Sequence, residues 1–133
     1  MAFECRSLLL CDEIREEIGG KQIIIGAYSG AILIPYTPFF AQRLTIRFEI
    51  NADASRYEHV ECTILRPNHS IFHHSEMAYD LKYPEFPFSL YFVATAITFE
   101  QPGEHTVLLA MDSTPTSVGS FLILTPDIVP QRP

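Results

Sequence analysis

The sequence predicts an all-β domain: a two-sheet antiparallel sandwich of the immunoglobulin-like type with about eight strands, a closed β-barrel being the alternative. Three observations predict it. Apolar and polar residues alternate over short stretches along most of the chain, the period-two pattern of half-buried strands. Gly, Pro and Asn punctuate those stretches at hairpin spacing. No segment carries a long apolar stripe of helical period. There is no Trp and no cysteine pair at immunoglobulin spacing, so only the general architecture is meant.

In chain order, Cys11 to Ile18 reads equally as a short helix or a strand, because Leu10, Ile14 and Ile18 recur at intervals that suit both. Gly19–Gly20 suits a hairpin turn needing positive φ, and Lys21 to Tyr28 reads as a strand ending at Ser29–Gly30. Arg43 to Asn51 is the clearest strand, with Leu44, Ile46, Phe48 and Ile50 on one face and Thr45, Arg47 and Glu49 on a wet one. Tyr57 to Arg66, centred on Val60, Cys62 and Ile64, stops at Pro67–Asn68. Phe88 to Glu100 is apolar on both faces, which predicts a central strand covered on both sides or one lying beside a partner surface. Pro102–Gly103 marks a turn, and His105 to Asp112 and Val118 to Thr125 form a last pair across the Ser113–Ser117 loop. Pro35, Pro38, Pro84 and Pro87 place their surroundings in loops or at edges.

With 133 residues the chain suits one domain, expected over residues 1–125, followed by a Pro-rich tail at 126–133. A chain this long buries roughly two-thirds of its unfolded surface. Its 47% hydrophobic and 19% charged residues, with ten Phe and six Tyr, are enough for a core without staples. Nine basic against sixteen acidic residues give a net charge of −7. Scattered Lys and Arg offer no stripe for a phosphate backbone or an anionic membrane, so neither nucleic acid nor membrane is expected as a partner. Cys5, Cys11 and Cys62 cannot all pair, and the segment Met1–Glu17 has no basic n-region, so reduced thiols and a cytoplasmic location are expected.

Candidate chemistry centres on His69, His73, His74 and Glu76, since imidazole and carboxylate are zinc ligands. On a strand, residues four apart lie about 13 Å from each other, so His69 and His73 could share an ion only on a helical turn. His74 and Glu76 could share one from a strand face and would still need two more ligands, with His59 and His105 as candidates. The competing expectation is a loop with solvent-facing histidines. Gly26–Ala27–Tyr28–Ser29–Gly30 lacks the Gly two places before Ser that a nucleophile elbow needs. Asn51–Ala52–Asp53–Ala54–Ser55 opens like a calcium loop but has Arg56 and Cys62 where Gly and Glu belong. Cys62 reads as a core thiol, and the acidic run Asp12, Glu13, Glu16, Glu17 as a solvated face. With no Gly-rich phosphate cradle, no cofactor is expected.

One apolar stretch stands out. Ile32, Leu33, Ile34, Tyr36, Phe39 and Phe40 crowd a segment broken by Pro35 and Pro38, so they either cap the core or form a patch for a partner. The expected role is a non-enzymatic interaction or assembly module that binds a protein partner or itself. The alternative is a metal-binding protein or metal-dependent enzyme using the His-rich stretch.

The run Leu10–Cys11–Asp12–Glu13–Ile14–Arg15–Glu16–Glu17–Ile18–Gly19–Gly20–Lys21, then Gly26 and Tyr28, resembles an uncharacterised family of short bacterial all-β proteins. The Pro102–Gly103–Glu104–His105 turn and the final strand are similar to it too. The resemblance implies a bacterial cytosolic protein and carries no catalytic or binding residue across.

Overall fold

A computed structural model describes residues 3–52, 59–78, 87–112 and 114–126, and these form ten strands and no helix. The strands are β1 (Phe3–Cys11), β2 (Glu13–Glu16), β3 (Gln22–Ile25), β4 (Ala31–Leu33), β5 (Phe39–Ala52), β6 (His59–Leu65), β7 (Ile71–Ala78), β8 (Phe88–Phe99), β9 (Gly103–Met111) and β10 (Thr116–Leu124). They make a three-stranded sheet β1-β5-β8, a five-stranded sheet β4-β10-β9-β6-β7 and a two-stranded hairpin β2-β3. No helix is long and apolar enough to cross a membrane among the described residues. The tail beyond Pro126, the calcium-like stretch from Asp53 and the stretch around Pro84 lie outside the described residues.

Period-two patterning builds the interior. On β5, Leu44, Ile46, Phe48 and Ile50 are buried, and on β6 so are Val60, Cys62 and Ile64. Val107 and Leu109 of β9 and Phe121 and Ile123 of β10 join them in one apolar cluster between the two larger sheets. The inward set changes parity on β5 and β8 together: Phe39 and Ala41 face the core before Gln42, and Ile97 and Phe99 face it after Ala96. Ala96, at φ 53, supplies the kink. The order β1-β5-β8 against β10-β9-β6 is that of an immunoglobulin-like sandwich.

Several expectations change in this frame. Neither large sheet closes on itself, so the chain forms no closed barrel. The sandwich is not wholly antiparallel, because β4 runs parallel to β10, pairing Ile32 with Ile123. Parallel neighbours need a long connection, and most of the chain separates these two. Residues 11–18 form no helix: Cys11 ends β1 and β2 begins at Glu13. The hairpin around Gly19 (φ 89) and Gly20 (φ 79) follows the predicted turn. The wet face of β5 is only partly wet. Thr45 is buried and its Oγ1 donates to the Asp12 carbonyl at 3.2 Å, while Arg47 Nε donates to Gln22 Oε1 at 2.9 Å, so the β2-β3 hairpin lies over it. Among the described residues, strand β8 is an edge and not a central strand.

His105 shows how the core handles a polar group. It is 1% exposed, stacked on Phe121 at 5.3 Å and met edge-on by Phe72 at 5.5 Å. Its Nδ1 donates to the Gly103 carbonyl at 3.1 Å, and its Nε2 has no hydrogen-bond partner among the described residues. Burial, and secondarily the Arg66 guanidinium, hold its pKa below the usual 6.5. A group with a depressed native pKa binds its proton more readily when unfolded, so its contribution is complete above 6.5 and lost as pH falls through the native value. His73, lowered by burial and then by His74, acts in the same direction. Denaturant titrations should therefore show the wild type losing more stability than His105→Phe as pH falls below about 6.5. A slope that His105→Phe leaves unchanged would rule out a buried neutral imidazole as its source.

Candidate functional site

The stretch expected to be a His-rich loop is mostly strand. Only its start is a turn: the Arg66 carbonyl accepts from His69 N, and the Ser70 carbonyl from Arg66 N, both at 2.8 Å. His69 sits there at φ 68. Strand β7 then pairs with β6, setting His73 opposite Ile64, Ser75 opposite Cys62 and Met77 opposite Val60. His73 thus belongs to the face turned toward the core, where its Nε2 meets Ser75 Oγ at 3.2 Å. His74 and Glu76 point the other way. The candidate quartet is divided: His74 and Glu76 stay together, His73 takes the core-facing side, and His69 lies in the turn before β7.

What joins His74 and Glu76 comes from the neighbouring strand. His59 and Glu61 of β6 share their outer face, and Glu61 is the direct cross-strand partner of Glu76. His59 Nε2 lies 3.0 Å from Glu61 Oε1 and 3.3 Å from Glu76 Oε2. His74 Nε2 lies 3.2 Å from Glu76 Oε1, and its Nδ1 is 2.9 Å from Thr63 Oγ1. The Glu61 carboxylate, which accepts from His59, raises that imidazole's pKa, and the charges of Glu76, Glu61 and Asp112 add to the effect against a smaller desolvation. His105, the other suggested completing ligand, is sealed in the core. A readable signal was present in the sequence: His-x-Glu occurs at 59–61 and again at 74–76, and a hairpin between two such strands sets four donor groups on one face.

The apolar segment divides by the same alternation. Ile32 and Ile34 are buried core residues and Phe39 packs against the core, so these three cap the interior and do not form a patch. Leu33 (66% exposed), Tyr36 (63%) and Phe40 (59%) face outward. Phe40 lines an open groove of about 690 Å³ together with Asp12, Glu13, Tyr28 and Arg43. Arg43 pairs with Glu13 at 3.3 Å along it.

The N-terminal motif is a structural clasp. Gly26 has φ 68, and a Cβ there would collide with the Asp12 carboxylate. That close approach lets Asp12 N reach the Ile25 and Gly26 carbonyls at 3.0 and 3.2 Å. The Tyr28 hydroxyl donates to Asp12 Oδ1 at 2.9 Å. Burial, then this bond and the charge of Asp12, push Tyr28 up to about 12. Ser29–Gly30 is a bend before β4, and no elbow. Cys5, Cys11 and Cys62 are free thiols, and burial pushes Cys62 up to about 12, so it is no nucleophile.

The chain is similar to an immunoglobulin-like protein from Pseudomonas aeruginosa known from its crystal structure, with 11% sequence identity and a TM-score of 0.42 over 93% of this chain and 98% of that one. No curated protein matches it. A family of unknown function does match, over residues 6–123, a span holding the clasp and both His-x-Glu pairs. The chain belongs to that family, DUF6941.

Proposed function

We propose that the domain is a non-enzymatic interaction module that docks a protein partner, or a second copy of itself, through the connection between β4 and β5. The observation that carries this reading is the outward exposure of Leu33, Tyr36 and Phe40 within eight consecutive residues whose neighbours Ile32 and Ile34 are anchored in the core. Large apolar side chains held outward beside core-anchored neighbours are characteristic of contact surfaces. The ring of Tyr36 is steadied edge-on by Phe39 at 5.8 Å, which lowers the entropy lost when a partner covers it.

A photo-crosslinking amino acid at position 36 or 40, in cells expressing the chain, tests this directly. A discrete adduct from both positions, lost on Leu33→Ser and missing from a probe at the exposed Val93, supports the reading. Crosslinking no stronger than at Val93 refutes it. An adduct of twice the chain's mass means self-association, and any other mass means a different partner.

A further inference from the structure

The outer face of β6 and β7 holds an arrangement that folding alone does not favour. Glu61 and Glu76 are directly opposed across the strands, where like charges destabilise a sheet. Both carboxylates converge on one imidazole, and His59 Nε2 and an oxygen from each of the two all lie within 4.8 Å of one another.

We propose that His59, Glu61 and Glu76 form a three-ligand site for a divalent transition-metal ion, best matched by Zn²⁺, on this face of the sandwich. In a tetrahedral zinc site with bonds near 2.1 Å, neighbouring donors stand about 3.4 Å apart. The separations from His59 Nε2, 3.0 Å to Glu61 and 3.3 Å to Glu76, are close to that spacing. One imidazole among two carboxylates selects zinc over calcium or magnesium, which take oxygen ligands. An ion of charge two also neutralises the opposed pair. His59 is exposed, so the fourth position faces solvent and is open to water or an incoming donor.

The surrounding groups are ordered as an outer ligand shell would be. Glu76 gives Oε2 to the site while its Oε1 is held by His74 Nε2 at 3.2 Å, and His74 is fixed in turn by Thr63 at 2.9 Å. On the other side, His59 N donates to Asp112 Oδ1 at 2.9 Å and Asp112 N donates to the His59 carbonyl at 3.0 Å, which pins the ligand's backbone. His74 and Thr63 are positioning residues here, not ligands. The site lies on strands, apart from the β4–β5 connection, and does not depend on the docking reading.

The test is calorimetric titration of ZnCl₂ into untagged, chelator-treated protein, with Mg²⁺ as a competitor. One ion should bind per chain, and Mg²⁺ should not displace it. His59→Gln and Glu76→Gln should each weaken binding by more than about 100-fold, and His74→Gln by about 10-fold. Circular dichroism of the variants should be unchanged, because all three side chains are on the surface. Co²⁺ in place of zinc should give a visible spectrum that shifts in His74→Gln, a change that a purely structural role for His74 would not produce. Absence of saturable Zn²⁺ binding, or full-strength binding in His59→Gln, overturns the assignment.

Discussion

Phe48→Ala should cost the domain about 3–5 kcal/mol, the range for emptying a large aromatic site in a packed core. Phe48 is fully buried in the middle strand of the three-stranded sheet. Its cross-strand neighbours are Leu8 on β1 and Leu90 on β8. Phe92 meets it edge-on at 6.1 Å, and that contact is lost as well. Neighbours tied into backbone ladders on both sides cannot collapse into the gap, so the cavity should persist. Total stability of a domain this size is about 5–15 kcal/mol, so the variant should lose about a fifth of it or more. The control is Val93→Ala, at an exposed position on the outer face of β8, which should stay within about 0.5 kcal/mol of wild type. Urea denaturation of the three proteins checks it. Equal losses at the two positions would mean that the inward and outward faces had been exchanged.

Gly26→Ala should destabilise by roughly 2 kcal/mol, mostly from placing a Cβ at positive φ. Gly19 separates the two components of that cost. Its φ of 89 is as unfavourable, but a Cβ there meets nothing within 4 Å, whereas at Gly26 the Asp12 carboxylate must move. Gly26→Ala should therefore cost more than Gly19→Ala, and it should also release Tyr28. One of the six tyrosines should ionise last in the wild type, near pH 12, and titrate earlier in Gly26→Ala. Thermal melts of both glycine variants and an ultraviolet tyrosine titration provide the measurements. Equal losses, with Tyr28 unmoved, would mean that the Asp12 contact contributes nothing.

How much could be read in advance depended on where each residue's information lies. Strands β5 and β6 were legible because Leu44–Ile50 and Val60–Ile64 carry their pattern locally: each buried side chain is two residues from the next. The Gly19–Gly20 turn was legible because positive φ selects glycine wherever it occurs. Strand β7 was not. His73, His74, Ser75 and Glu76 have no strong strand preference, and they pair because β6 offers an unfilled edge. Polar residues also suit an exposed edge, where they discourage further pairing. The apolar outer face of β8 suggested a central position, yet among the described residues the strand has a single neighbour.

From the sequence alone came the β class, the faces of the best strands, the thiol character of Cys62 and the apolar crowding at residues 32–40. All of these follow from neighbours a few positions apart. Tertiary structure decided which of those apolar residues face outward, that Asp12, Gly26 and Tyr28 close on one another, and that His59 and Glu61 meet Glu76. The last depends on hairpin register, since a slip of one residue along β7 would turn His74 and Glu76 to the core side and leave His73 and Ser75 outside. Register is set by burial of Val60, Cys62 and Ile64 on the opposite face, so the packing of the core determines which charges meet on the surface.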